Sequence, residues 1–254
     1  MAQKISHHNY TIPIAEAFDA GGECPLCDMR GALEKNALEY VLGPSYMEDG
    51  VRARTDKAGF CKAHYAAMFR MGNRLGLGLI VQTHARRLID GAEALLEGGP
   101  PAKKIGLFGN AEAPGRGVGA EIGKLADTSG TCFVCGRVNA EFARFVSNTV
   151  LLWQKQPPFR EKFARSKGFC LPHFALLLEV AEKELNAADY AEFYGRLAGL
   201  ERENLERLKS ELAWFIRKFD YQNAGEPWHG SADALERMIE KIASACLVSH
   251  PAGY

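Results

Sequence analysis

Apolar residues recur at three- and four-residue intervals along most of this chain, and stretches alternating at every second residue are nearly absent. Arg30 to Gly43 places Leu33, Ala37, Tyr40 and Val41 on one helical face, with Gly43-Pro44 as a stop. Ala140 to Gln154 repeats that pattern with Phe142, Phe145, Val146, Thr149 and Trp153, and Pro157-Pro158 closes it. From His173 to Lys183 the apolar side is Phe174, Leu177, Leu178 and Ala181. Ala188 to Phe219 carries Phe193, Leu197, Leu200, Leu208, Leu212, Phe215 and Phe219, the signature of one long amphipathic helix. A last helix is expected from Ser231, read as its N-cap, to about Ala245. Gly72, Gly76 and Gly78 interrupt another helical stretch, either as a close-packing face or as a break. The pattern predicts an all-α protein.

Within that helical background one phrase occurs twice. "GFCKAH" begins at Gly59 and "GFCLPH" at Gly168, and each is preceded by a CxxC: Cys24 and Cys27, then Cys132 and Cys135. Thirty-three residues separate Cys27 from Cys61, and thirty-four separate Cys135 from Cys170. The offset between copies is 108 residues at the CxxC and 109 at the CxxH. Four matched positions in one order suggest an internal duplication. The expected division is a first helical repeat over 12–97, a Gly/Pro-rich linker over 98–129, a second repeat over 130–219, and a C-terminal helix and tail over 220–254. The "GRGVGA" in the linker lacks a preceding strand and the full phosphate-binding fingerprint, so it reads as flexible backbone.

Proline placement locates the cysteines. Pro25 follows Cys24, and Pro172 stands two residues after Cys170; proline is tolerated in the first helical turn. Each pair therefore starts a helix, with its two members one turn apart on one side. Helix N-termini stabilise thiolate over thiol. Three sulfurs and one imidazole form a closed tetrahedral donor set of the structural zinc type. Two zinc ions per chain are expected, on Cys24, Cys27, Cys61 and His64, and on Cys132, Cys135, Cys170 and His173. Ligands could also be traded between the copies, but the shorter loop favours local pairing. An iron–sulfur cluster, a dithiol redox pair, or buried thiols beside a core histidine are the competing readings.

Composition narrows the rest. Lys plus Arg and Asp plus Glu number 31 each, which argues against a general electrostatic grip on nucleic acid or an anionic membrane. The apolar run Leu75–Val81 is too short to cross a bilayer, and the first twenty residues carry no continuous apolar run of a secretory signal. A cytoplasmic location is expected, where clustered cysteines serve metal or redox chemistry. Lys155 to Lys167 holds five basic residues and one acidic, a solvated helix face or an anion-binding patch. His84 reads as a satisfied core or surface histidine, Trp228 as packing on a turn, Cys246 as a half-buried apolar thiol, and His7-His8 as terminal. No paired carboxylates, serine elbow or HExxH assigns a reaction.

With "IPIAEAF" before "CPLC", the two GFCxxH phrases, and "FIRKFDY…EPW" late in the chain, the sequence resembles an uncharacterised bacterial family, a domain of unknown function. The resemblance spans Ile12 to about Cys246 and implies a bacterial origin but no activity. The expectation is a zinc-stabilised helical binding or scaffold protein, acting on an unassigned protein or small-molecule partner. The alternative is a metal- or thiolate-dependent enzyme or redox protein.

Overall fold

A computed structural model describes residues 10–97 and 131–244, all helices and connections, with no strand among them. In chain order the helices are α1 (Thr11–Asp19), α2 (Pro25–Leu42), α3 (Asp49–Ala58), α4 (Lys62–Arg70), α5 (Arg74–Glu97), α6 (Phe133–Lys155), α7 (Pro157–Ala164), α8 (Leu171–Glu184), α9 (Ala187–Arg217) and α10 (Ala234–Ala243). Short 3₁₀ turns cover Pro44–Met47 and Tyr221–Asn223. None of the described helices is long and apolar enough to cross a membrane. The linker expected over 98–129, with its "GRGVGA", and Cys246 and His7-His8 lie outside the described residues.

The predicted stops hold for physical reasons. Gly43-Pro44 ends α2 and opens a 3₁₀ turn. Pro157 and Pro158 end α6 and begin α7, with Gln156 as its N-cap. The glycine-rich stretch is a break. Gly72 adopts φ +84°, and the Asn73 side chain accepts from the Gly76 N–H at 2.9 Å to cap α5. Two expectations fail at the C-terminal side. Ser231 is not the cap of the last helix: its hydroxyl donates to the Trp228 carbonyl at 2.6 Å, and α10 starts three residues later and ends at Ala243. Phe219 lies past the end of α9 and is 75% exposed, because the helix stops at Arg217 once Lys218 turns its ammonium onto the carbonyls of Asn223, Ala224 and Glu226.

The helices form two compact units, residues 1–33 with 140–254, and residues 34–139. The first unit has an aromatic core. Phe18 meets Phe159 edge-on at 5.0 Å, Phe163 lies 5.3 Å from Phe169 and 5.6 Å from Phe193, and Trp153 meets Phe193 at 4.9 Å. Leu177, Ala181 and Leu197 close that core from α8 and α9. In the second unit Ala37, Val41, Val51, Phe60, Met68, Ile80 and Val134 are buried.

The repeated GFC phrase is a structural device. Gly59 has φ +59° and ψ −157°, a region open to glycine alone, and Gly168 has φ +96°. The following Phe60 and Phe169 are buried, and the cysteine after each is a helix N-cap. A Cβ on Gly59 would sit 2.5 Å from Nε2 of His84, whose Nδ1–H donates to the Asp56 carbonyl at 2.6 Å. His84 is therefore the satisfied core histidine that the sequence allowed.

Gly59→Ala is expected to lower the unfolding free energy by about 1–3 kcal/mol. Gly31→Ala, in the interior of α2 with open space where the methyl would go, should raise it by about 0.5–1 kcal/mol. Urea titration of both variants checks the pair.

Candidate metal centres

All four Cys/His motifs use one local geometry. Cys24, Cys61, Cys132 and Cys170 each immediately precede a helix, and Cys27, His64, Cys135 and His173 follow one turn inside it. The carbonyl of the first residue begins the helical ladder, as in Cys27 N–H to Cys24 O at 2.9 Å and Phe174 N–H to Cys170 O at 2.8 Å. Two helix N-termini thus meet at each cluster, and their partial positive charge favours thiolate there.

The motifs combine across the two sequence copies. Cys24 and Cys27 on α2 meet Cys170 and His173 on α8, within the first unit. Cys132 and Cys135 on α6 meet Cys61 and His64 on α4, within the second. In each cluster all four donor atoms lie within 4.8 Å of one another. The local pairing expected from loop length is overturned. Loop-closure cost rises by only about 0.6 kcal/mol per doubling of loop length, so the longer connection costs about 1 kcal/mol more, which a few buried side chains outweigh.

The donor spacing fits a single ion. A regular tetrahedron with metal–sulfur bonds of about 2.3 Å has edges of about 3.8 Å. In the first cluster the Cys170 sulfur lies 3.9 Å from that of Cys24 and 3.6 Å from that of Cys27. Nδ1 of His173 lies 3.5, 3.4 and 3.2 Å from the sulfurs of Cys24, Cys27 and Cys170. In the second cluster the Cys61 and Cys135 sulfurs are 3.9 Å apart. Nδ1 of His64 lies 3.1, 3.2 and 3.4 Å from the sulfurs of Cys61, Cys132 and Cys135.

The surroundings differ. Cys24, Cys27, Cys170 and His173 are all buried, whereas Cys61, Cys132 and Cys135 are part-exposed around a buried His64. Helix α10 supplies part of the difference. The Ser244 hydroxyl beyond its end lies 3.2 Å from the Cys170 sulfur. Lys241 donates to the Phe169 carbonyl and pairs with Glu201, which accepts from the Phe169 N–H at 3.2 Å. Both backbone groups of the residue before Cys170 are thus held by one buried ion pair. In the second cluster the Phe133 N–H donates to the Gly59 carbonyl at 3.0 Å, and the Thr131 hydroxyl to the Ala58 carbonyl at 2.7 Å.

The histidines also have different neighbours. Nε2–H of His64 donates to Oε1 of Glu34 at 2.9 Å, which turns Nδ1 toward the sulfurs, where its lone pair would serve an ion that displaces its proton. Glu34 stands seven residues after Cys27. The residue seven after Cys135 is Phe142, whose ring lies 5.1 Å from that of His173.

Each cluster favours one thiolate. Hydrogen bonds from Cys24 and Cys27 pull the Cys170 thiol well below its ordinary range against the effect of burial, with His173 and Ser244 adding to them. Burial, then the neighbouring Cys170 and Cys27, pushes Cys24 up. Burial opposes the Cys132 thiolate, but hydrogen bonds from His64 and from the backbone of Cys135 and Cys61 bring it down to about 6. Cys135 is pushed up to about 12 by burial and by Cys132. His64 rises to about 10 through its bonds to Cys132 and Glu34.

Glu34, Glu201 and Lys241 were not among the sequence-derived site residues. Glu34 lies two turns beyond Cys27 on α2. Glu201 interrupts the apolar stripe of α9 four residues after Leu197, and a carboxylate at a core position is a signal for a buried partner. The basic run from Lys155 to Lys167 is largely engaged inside the molecule. Arg160 stacks on Trp153 and pairs with Glu192 at 3.3 Å, Lys162 pairs with Asp19 at 2.5 Å, and Lys167 with Glu23 at 3.6 Å.

A model of a family of unknown function, DUF6062, matches residues 3–249. No curated protein and no solved structure matches the chain.

The ligand pairing has a direct test. Cys24→Ser and Cys170→Ser belong to one cluster, so the double variant should lose no more metal than either single one. Local pairing within each copy would make the two losses add, and elemental analysis separates the outcomes. Glu34→Ala should weaken metal affinity about 10–100-fold at the second cluster alone, read by competition with a chromogenic chelator.

Proposed function

This chain belongs to DUF6062, a family of unknown function, and from the geometry above we propose that it is a zinc-stabilised helical binding or scaffold protein with two Cys3His centres. One observation carries the proposal: two separate sets of three sulfurs and one imidazole nitrogen, each with all four donor atoms within 4.8 Å of one another. Zinc is the ion we assign. Three thiolates and one neutral imidazole suit its softness, and the set leaves no position for water or substrate, which makes the centres structural.

An iron–sulfur cluster would place several atoms between its protein ligands, whereas these donors lie within reach of one shared ion. We place the protein in a reducing compartment such as the cytoplasm, where clustered cysteines serve metal chemistry rather than disulfides. Helices follow in corresponding order after each CxxC, with a GFC turn before α4 and before α8, and we attribute this to duplication of one ancestral unit. The partner, protein or small molecule, is then met by the helical surfaces that the centres hold in place.

Protein purified without a metal-affinity tag should be colourless and carry two zinc per chain by elemental analysis. A brown protein with visible absorbance would instead identify iron–sulfur chemistry. Binding at the second cluster must displace the protons that His64 and Cys135 hold at neutral pH, since their pKa values stand at about 10 and about 12. Affinity there should therefore rise with pH near neutrality and be lost in acid. Chelator competition at several pH values checks the slope.

A further inference from the structure

The two clusters carry the same donors but differ in access, and access decides which thiolates meet a reagent from solvent. In the first cluster Cys24, Cys27 and Cys170 are 6%, 8% and 2% exposed. A recess of about 60 Å³ adjoins them, and Glu23, Asp28, Glu240 and Lys241 share its wall. In the second cluster all three sulfurs belong to part-exposed residues.

We propose that the second cluster, Cys61, His64, Cys132 and Cys135, is an oxidation-sensitive centre that a hydroperoxide converts to a disulfide while the first cluster stays intact. This rests on the metal-holding role proposed above. With metal bound, every cysteine in both clusters is a thiolate, so intrinsic ionisation does not distinguish them and exposure does.

The chemistry balances with the hydroperoxide as oxidant. One thiolate sulfur attacks a peroxide oxygen; an S–O bond forms, the O–O bond breaks, and the departing oxygen takes a proton to leave as water or alcohol. A second thiolate of the same cluster attacks the sulfenic sulfur; the S–S bond forms, the S–O bond breaks, and the hydroxide takes a proton to leave as water. Two sulfurs give up two electrons in all, and the two peroxide oxygens receive them. The sulfurs of Cys61 and Cys135, 3.9 Å apart, need close by only about 2 Å to bond. The cluster then offers one sulfur and one nitrogen, too few donors to retain an ion.

The change reaches the fold through short connections. Cys61 caps α4 and Cys132 caps α6, and the Phe133–Gly59 and Thr131–Ala58 hydrogen bonds tie the same two chain segments together. Loss of the shared ion leaves those two bonds, the Phe60–Phe133 ring contact and the new disulfide between them. The helix starts of α2 and α8, with their own cluster, are untouched by this reaction.

The experiment uses the wild-type chain loaded with zinc and treated with hydrogen peroxide. A chromogenic chelator follows released metal, and alkylation with peptide mapping locates the oxidised cysteines. The expected result is release of one of two zinc equivalents, at least about tenfold faster than the other. The disulfide should lie among Cys61, Cys132 and Cys135, and thiol reductant with added zinc should restore the starting state. Release of both equivalents at one rate, earlier oxidation of Cys24, Cys27 or Cys170, or no release at all overturns this proposal and leaves the metal-holding role standing. A chain that takes up no zinc before peroxide is added overturns both.

Discussion

The constraint on which this structure depends is the meeting of helix starts through soft donors. Four helices begin with a ligand at the N-cap and another one turn in, and the starts meet in twos. A helix N-terminus leaves N–H groups unpaired and a partial positive charge exposed, so two of them brought together repel. Thiolates reverse that sign. A divalent ion on three thiolates and a neutral imidazole leaves one net negative charge, which the two helix starts neutralise between them. The GFC turn makes the arrangement possible. It delivers a buried phenylalanine and then a capping cysteine from a backbone conformation that only glycine adopts at low cost.

Crossing of the copies has a consequence for how the chain is divided. Each compact unit takes its CxxC from one sequence copy and its CxxH from the other. Excising either copy would separate each CxxC from the CxxH it meets in the structure, although each copy contains one motif of each kind. An unaided copy would have to close its own CxxC on its own CxxH. Loop entropy slightly favours that closure, but the apolar faces favour the observed one. Leu177 and Ala181 of α8 share one buried cluster with Leu26 and Phe18, on the helix that brings His173 to Cys24 and Cys27. Contact-driven burial of several large side chains, at about 1.5–3 kcal/mol each, exceeds the loop term.

The same comparison explains what was legible in the sequence. Helix periodicity is a local property, so α2, α6, α8 and α9 could be read from their apolar spacing, and the donor residues from the doubled motif. Proline one residue after Cys24 and two after Cys170 correctly set both at helix starts. Pairing is not local, and two copies with the same motifs present two solutions that no single stretch of sequence distinguishes. Ser231 failed as a cap because a serine hydroxyl bonds a turn carbonyl as readily as a helix N–H, and here the Trp228 carbonyl takes it. Phe219 failed because spacing continues past Arg217 while the helix does not. Gly72 could have been a packing face; its positive φ makes it the break.

Corresponding positions after the two CxxC motifs differ with their surroundings. Seven residues beyond each CxxC stands Glu34 in one case and Phe142 in the other. Glu34 faces a histidine in a cluster with part-exposed sulfurs, and a carboxylate bonded to the imidazole N–H fixes its tautomer there. Phe142 faces a histidine in a fully buried cluster, where its ring, with the Arg30 guanidinium 5.3 Å from the ring centre, closes the site. A carboxylate at that position would need a partner, and the buried ion pair nearest the first cluster is already committed. Glu201 and Lys241 hold both backbone groups of Phe169, so removing either charge would leave the other buried without its counterion, at a cost of about 3–5 kcal/mol. The first cluster is therefore set by backbone clamped from α9 and α10, the second by hydrogen bonds between its own two chain segments and by a side chain that reaches its histidine directly. One donor set is held in two ways, and the way each is held follows from how much water it meets.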